Sequence, residues 1–240
     1  MHIGFILDGN GRWATNKSLP RSVGHKKGAE NVETILKSCK DLGISNVTLY
    51  AFSTENWSRP VFEVKALMKL FHYYLKKKLT MLYQENVKVV IIGDIRPFPK
   101  VIREYIKNIE ELTKKNDGML LNLAMNYGGR AEIVRATKGI VKAVSDGIIK
   151  IEDLDEDLFA QYLYTDSQKD PDLIIRTAGE KRLSNFLLWQ SAYSEMYFVE
   201  KNWPDFNRFD LIEALDHYSS RKRKYGSLEA SEKTVRKKVV

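Results

Sequence analysis

Short apolar runs and helical stripes alternate along the chain. Residues 3–7, Ile-Gly-Phe-Ile-Leu, stop at Asp8-Gly-Asn-Gly, the pattern of a buried strand and a turn. Over 25–41, Val32, Ile35, Leu36 and Cys39 recur at helical spacing and Gly43 closes the segment. Val47-Thr-Leu-Tyr-Ala-Phe52 is β-branched and aromatic and predicts a second strand. From 63 to 85, Val64, Leu67, Met68, Phe71, Tyr74, Leu75, Leu79 and Leu82 line one face of a long helix. Val87-Lys-Val-Val-Ile-Ile92 predicts a third strand, 99–115 a helix, and 120–125 a fourth strand running into Asn126-Tyr-Gly-Gly129. A helix over about 130–146, a short strand at 173–175 and a last helix over 208–224 complete the pattern. This order predicts a single α/β domain with a mostly parallel central sheet flanked by helices.

Composition narrows the class. The chain has 240 residues, 43% hydrophobic and 29% charged, enough for one substantial core and unlike a disordered or fibrous sequence. No run approaches the roughly 20 apolar residues of a membrane span. The opening residues lack a basic-then-apolar leader, and Cys39 is the one cysteine. A cytoplasmic setting without a disulfide framework or a cysteine zinc site is the expectation. The net charge of +8 is uneven, because residues 221–240 carry eight basic and two acidic side chains and so hold +6 of it. The predicted organisation is a folded domain over 1–225 and a basic tail over 226–240. Such a tail suits a solvated terminus or an anionic membrane surface. Nucleic acid is disfavoured, since the body is nearly neutral and has no binding motif.

In open α/β sheets chemistry gathers beyond the carboxyl ends of the strands. Three segments stand there. Asp8-Gly-Asn-Gly-Arg-Trp13 has the ingredients of an anion-cradling loop, though it matches neither Gly-x-Gly-x-x-Gly nor a P-loop. Ser53-Thr-Glu-Asn-Trp-Ser-Arg-Pro60 follows the second strand, and Arg176-Thr-Ala-Gly-Glu-Lys-Arg-Leu-Ser184 a later one. Arg21 and His25 flank the first helix. The chain holds 26 Lys and 13 Arg, yet in these stretches Arg12, Arg21, Arg59, Arg176 and Arg182 stand against Lys181 alone. Planar guanidinium forks suit diphosphates better than a generic solvated face does. Asp8 and Glu195 are candidate ligands for Mg2+, which binds through few carboxylates plus substrate phosphates. The acidic run at 153–157 reads as the solvated start of a helix, and no Ser-His-Asp spacing stands out.

Asp8–Trp13, Ser53–Pro60 with Glu55-Asn56-Trp57, Asn126-Tyr-Gly-Gly-Arg130, and Arg176–Ser184 leading into Asn185-Phe-Leu-Leu-Trp-Gln190 occur in this order. The chain closely resembles the cis-prenyltransferase family over roughly residues 3–225. The resemblance implies Mg2+-dependent addition of isopentenyl diphosphate to an allylic diphosphate such as farnesyl diphosphate, giving a Z-polyprenyl product. Undecaprenyl diphosphate, a lipid-carrier precursor for cell-wall synthesis, is such a product. It also implies a homodimer and allows peripheral membrane contact. Carried over by motif, Asp8 holds the metal and assists loss of the allylic diphosphate. Gly9, Asn10, Gly11, Arg12, Arg21 and His25 match the cradle for that leaving group, with Trp13 beside the prenyl chain. Ser53, Thr54, Glu55, Trp57 and Arg59 match a substrate-binding loop, in which Asn56 is catalytic. Arg176, Arg182, Leu183 and Ser184 match the isopentenyl diphosphate site, and Glu195 a second metal ligand. Ala178 departs from the glycine or serine usual there. Part of the apolar face between Val64 and Leu82 is expected to line a tunnel for the growing chain.

Overall fold

A computed structural model describes residues 1–166 and 168–221. The chain alternates strand and helix as its apolar pattern predicts. β1 (His2–Ile6) leads through the short α1 (Asn10–Thr15) to α2 (Arg21–Asp41), β2 (Asn46–Ser53), α3 (Val61–Gln84) and β3 (Val87–Ile92). Then follow α4 (Lys100–Thr113), β4 (Met119–Tyr127), α5 (Gly129–Ser145), α6 (Glu156–Gln161), β5 (Leu173–Arg176), β6 (Glu195–Phe198) and α7 (Arg208–Ser219). The six strands form one sheet in the order β3-β4-β2-β1-β5-β6. All five pairings are parallel.

Both faces of the sheet are covered, which is why its strands read as apolar runs. Ile3, Phe5, Val47, Leu49, Leu121, Leu173 and Ile175 pack with Ile35, Leu36, Leu82, Ile109 and Leu211 from α2, α3, α4 and α7. The alternate positions Ile6, Ala124 and Ile174 pack with Phe186 and Leu187 on the opposite face. Cys39 lies in the first core, and burial pushes its thiol up to about 12. Among the described residues no helix is long and apolar enough to cross a membrane.

Two local features differ from the sequence pattern. The Asp8-Gly-Asn-Gly segment is not a plain turn, because it starts a helix. Gly9 caps α1 at φ 94°, where a Cβ would meet Asn202 Oδ1 at 2.2 Å. The last helix ends at Ser219 rather than 224, and the basic tail lies outside the described residues. The acidic run behaves as expected, with Asp155 capping α6 by accepting from Leu158 N–H at 2.8 Å.

Strand order reverses between β1 and β5. β1 connects onward to β2 on one side, and β5 to β6 on the other. Ligand crevices form at such switch points, beyond the carboxyl strand ends. Asp8 follows β1 there, and Arg176 ends β5 there.

Candidate active site

A cavity of about 590 Å³ opens at this switch point. Its wall carries Asp8, Asn10, His25, Ser53, Glu55, Asn56, Arg59, Arg176, Ser184 and Asn185. Arg176 is 2% exposed, and four of the five N–H groups of its guanidinium go to fixed partners. It donates from Nε and Nη2 to Asp8 Oδ2 at 2.9 and 2.5 Å, to Ser184 Oγ at 2.7 Å, and to the Arg182 carbonyl. One buried arginine thereby joins the ends of β1 and β5 with the loop that follows β5. Thr177 Oγ1 and Trp203 N–H hold the Asp8 carbonyl at 2.7 and 2.9 Å, so the backbone beneath the carboxylate is pinned.

Two more carboxylates gather the remaining arginines of the strand-end segments. Glu63, 8% exposed in the first turn of α3, meets Arg59 at 3.0 Å, His25 at 3.3 Å and Arg21 at 3.5 Å. Burial pushes its carboxyl up, but Arg59, Arg21 and His25 outweigh burial and hold it below the ordinary range. Burial, then the Arg59 charge, lowers the His25 imidazole. Glu180 pairs with Arg12 at 2.9 Å and with Arg182. Their side chains are 51% and 60% exposed, so these contacts are loosely held surface pairs.

The loop after β2 is fixed by its own side chains. Asn56 Oδ1 accepts from Ser53 N–H at 3.1 Å in a capping box. Glu55 accepts from Asn185 Nδ2 at 2.9 Å, and this and neighbouring hydrogen bonds outweigh burial to keep its carboxyl low. Asn185 also takes Arg130 N–H on Oδ1 at 2.8 Å, tying the loops after β2, β4 and β5 together.

Beyond Leu7, Ala29, Val32, Ala51, Leu70 and Phe71 the polar cavity adjoins an apolar one of about 150 Å³. The second cavity runs between α2, α3 and the sheet, past Leu36, Leu49, Leu75, Leu82, Leu121 and Met125. Its polar lining is confined to Glu33, Tyr74 and Lys78, of which Glu33 and Lys78 form an ion pair from α2 to α3. A charged mouth opening on a greasy cleft matches an amphiphile with an anionic head and a hydrocarbon tail.

The comparisons agree with that chemistry. The family described as "Putative undecaprenyl diphosphate synthase" matches residues 6–226. The chain belongs to this family of cis-prenyltransferases. An isoprenyl transferase of Clostridium perfringens is 51% identical over 228 residues, covering 95% of this chain and 90% of the relative. A ditrans,polycis-undecaprenyl-diphosphate synthase, (2E,6E)-farnesyl-diphosphate specific, from Buchnera aphidicola is 46% identical, covering 96% and 92%. The crystal structure of lavandulyl diphosphate synthase from Lavandula x intermedia with dimethylallyl diphosphate superposes with TM-score 0.91 at 38% identity, covering 94% and 98%. The parallel-sheet fold and the transferase class follow.

Within this cis-prenyltransferase the motif residues divide. Asp8, Asn10, His25, Ser53, Glu55, Asn56, Arg59, Arg176 and Ser184 converge on one cavity. Gly9 and Gly11 shape the wall, since a Cβ on Gly11 would meet the Arg21 guanidinium at 2.6 Å. Arg12, Arg21 and Arg182 are half-exposed outside the cavity lining, each on a carboxylate partner. Four other matched residues lie outside the cavity lining on partners of their own. Trp13 is outside the cavity lining, because its indole N–H is taken by Asp205 at 2.7 Å. Trp57 donates to Asn126 at 2.8 Å and wedges between Phe52 and Phe98, so it props the loop from beneath. Thr54 faces Gly128, where a Cβ would meet its Oγ1 at 2.7 Å, and Leu183 packs with the core beside Tyr127 and Phe186.

Glu195 does not join Asp8 within one chain. It opens β6 in register with Leu173, which is itself level with Ile3. Five positions of β-rise separate that level from Asp8, roughly 15 Å. Spacing along the sequence cannot reveal at which end of a strand a carboxylate lands. The motif reading also missed Glu63, Glu180 and Tyr50, whose hydroxyl donates to the carbonyls of Tyr127 and Ser184 at 3.2 Å. A glutamate four residues after Arg59, at the start of a long helix, was the legible signal for the first.

Among the described residues no group of three or more His, Cys, Asp or Glu side chains converges. Asp8 offers a carboxylate to the cavity, and Asn10 Oδ1 in the same wall is buried without a hydrogen-bond partner. One carboxylate and one amide oxygen fit Mg2+ that carries most of its ligands as water and substrate phosphate.

Proposed function

We propose that the protein elongates an allylic diphosphate, farnesyl diphosphate in the first instance, by repeated Mg2+-dependent addition of isopentenyl diphosphate. The product on this reading is a Z-polyprenyl diphosphate such as undecaprenyl diphosphate. The observation that carries it is the continuity of the arginine-lined cavity at Asp8 with the apolar cleft between α2 and α3. One condensation needs two diphosphate sites, whereas repeated condensation also needs a place for a lengthening tail.

The chemistry is loss of diphosphate from the allylic carbon, attack of the isopentenyl double bond on that carbon to form the new C–C bond, and transfer of a proton from the resulting cation to the released diphosphate, which leaves a double bond. The nucleophile is an alkene, so no Ser, Cys or His nucleophile is required. Asp8 would hold the metal together with Asn10, and bound Mg2+ supplies charge neutralisation to the departing diphosphate. His25, Arg59 and the N–H groups around Gly9 and Gly11 bind the allylic diphosphate on the α2 side. Arg176, Ser184 and, from the mouth, Arg182 bind the isopentenyl diphosphate. The pairing of Arg176 with Asp8 would keep the two diphosphate heads close together. Asn56 spends its carbonyl on Ser53 N–H, leaving its amide N–H groups as donors. That role is orientation of a diphosphate, not proton abstraction, because an amide donor is no base.

The same reading takes residues 1–225 as the catalytic domain, working in the cytoplasm as a homodimer. The basic segment 226–240 then touches an anionic membrane that receives the lipid product.

The test is incubation of the full chain with Mg2+, farnesyl diphosphate and labelled isopentenyl diphosphate. Butanol-extractable products of increasing length are expected. A single condensation product from folded protein would overturn repeated elongation.

A further inference from the structure

Glu63 lies outside every motif segment, yet three of the basic side chains assigned to diphosphate meet on it. Oε1 takes both Arg59 Nη1 and His25 Nε2, and Oε2 faces Arg21 Nε. Arg21 and His25 stand one turn apart on α2, while Glu63 and Arg59 flank the start of α3. The carboxylate therefore bridges two helices. It is not itself in the cavity wall, but His25 and Arg59 are. An acid in the first turn of a 24-residue helix is favoured by the helix dipole, and the burial of Glu63 and His25 shields their contact from competing water.

We propose that Glu63 is a positioning residue that holds His25 and Arg59 in their diphosphate-binding orientation, and so sets affinity for the allylic substrate. The inference rests on the reading of this cavity as a diphosphate site. A free arginine side chain loses rotamer entropy when it grips an anion, and one already held by a buried carboxylate has lost it beforehand. Buried ion clusters are weak evidence of stabilisation by themselves, so a role in preorganisation explains the cluster better than fold stability does. Glu180 differs, because its exposed pairs with Arg12 and Arg182 are easily exchanged for substrate.

The experiment compares wild type, Glu63→Gln and Glu63→Asp by steady-state kinetics with both substrates, and by calorimetry with inorganic diphosphate. Glu63→Gln is expected to raise KM for farnesyl diphosphate about tenfold, to change KM for isopentenyl diphosphate less than about twofold, and to lower kcat less than KM rises. Inorganic diphosphate should weaken in parallel. Glu63→Asp keeps the charge on a shorter stem and should fall between, carrying the test if the Gln variant is poorly folded. Unchanged KM and diphosphate affinity in a folded variant would overturn the proposal. So would tighter diphosphate binding, which marks the carboxylate as a mere competitor. If wild type binds diphosphate but forms no polyprenyl product, the functional reading fails, while calorimetry still decides the positioning role.

Discussion

Around Asp8 the cavity wall is charged and its charges are paired, whereas between α2 and α3 it is hydrocarbon with one ion pair on its flank. The two regions share Leu7, Ala29, Val32, Ala51, Leu70 and Phe71, so they are parts of one cleft with opposite chemistry. The polar part is held by directional contacts: Arg176 on Asp8 and Ser184, Glu63 on two arginines and a histidine, and Asn185 on two loops. Moving any donor by an ångström there loses a bond. The apolar part, apart from the Glu33–Lys78 pair on its flank, is defined by side-chain volume. Chemistry can thus be lost at the first without touching length control, and length control can change at the second without touching chemistry.

The sharpest test of that division is Asp8→Ala. Turnover should fall by roughly 10³-fold, the scale of removing a group that stabilises developing charge. Circular dichroism should still show the folded spectrum, with a lowered melting midpoint because the buried Arg176 loses its carboxylate partner. Full activity in this variant would sink the assignment. A milder effect is expected from Ala51→Phe, which adds a ring where the two regions meet. Product analysis should show shorter chains with the first condensation retained, and unaltered product length would place the growing tail elsewhere.

The smallest effect concerns pH. Burial lowers the His2 and His25 imidazoles below the ordinary value of 6.5. The unfolded chain then binds protons that the folded chain refuses as pH drops through that value, so stability falls on acidification. Each group contributes at most about 1.4 kcal/mol per pH unit. Thermal melting at pH 7.5 and 5.5 should show a lower midpoint in acid, partly restored by His25→Gln. A flat profile would contradict the burial of both rings.

Legibility follows the same division. The apolar pattern predicts β3 at its observed bounds and most other elements within a few residues, because apolar alternation in a two-faced sheet is a local property. The motif segments identified the polar cavity, since strand ends of a parallel sheet come together whatever their separation in sequence. Trp13, Trp57 and Glu195 resisted for a common reason. Each lies in or near a functional stretch, but its side-chain direction depends on a partner brought from far away, Asp205, Asn126 and the register of β6 on β5. Ala178 shows a gentler case. Its φ of 68° explains why glycine suits that position, and its N–H is held by the Lys201 carbonyl at 2.9 Å.

The amino-acid order determined the alternating elements, the parallel sheet and the concentration of arginines in the strand-end segments. These follow from local periodicity and residue chemistry. Only the tertiary structure decided which carboxylate each arginine meets, and that Glu63 stands behind two of them. It also decided that the apolar face of α3 leaves a cleft against α2 instead of closing into core. Those are matters of distance between segments up to 168 residues apart, and periodicity carries no information about them.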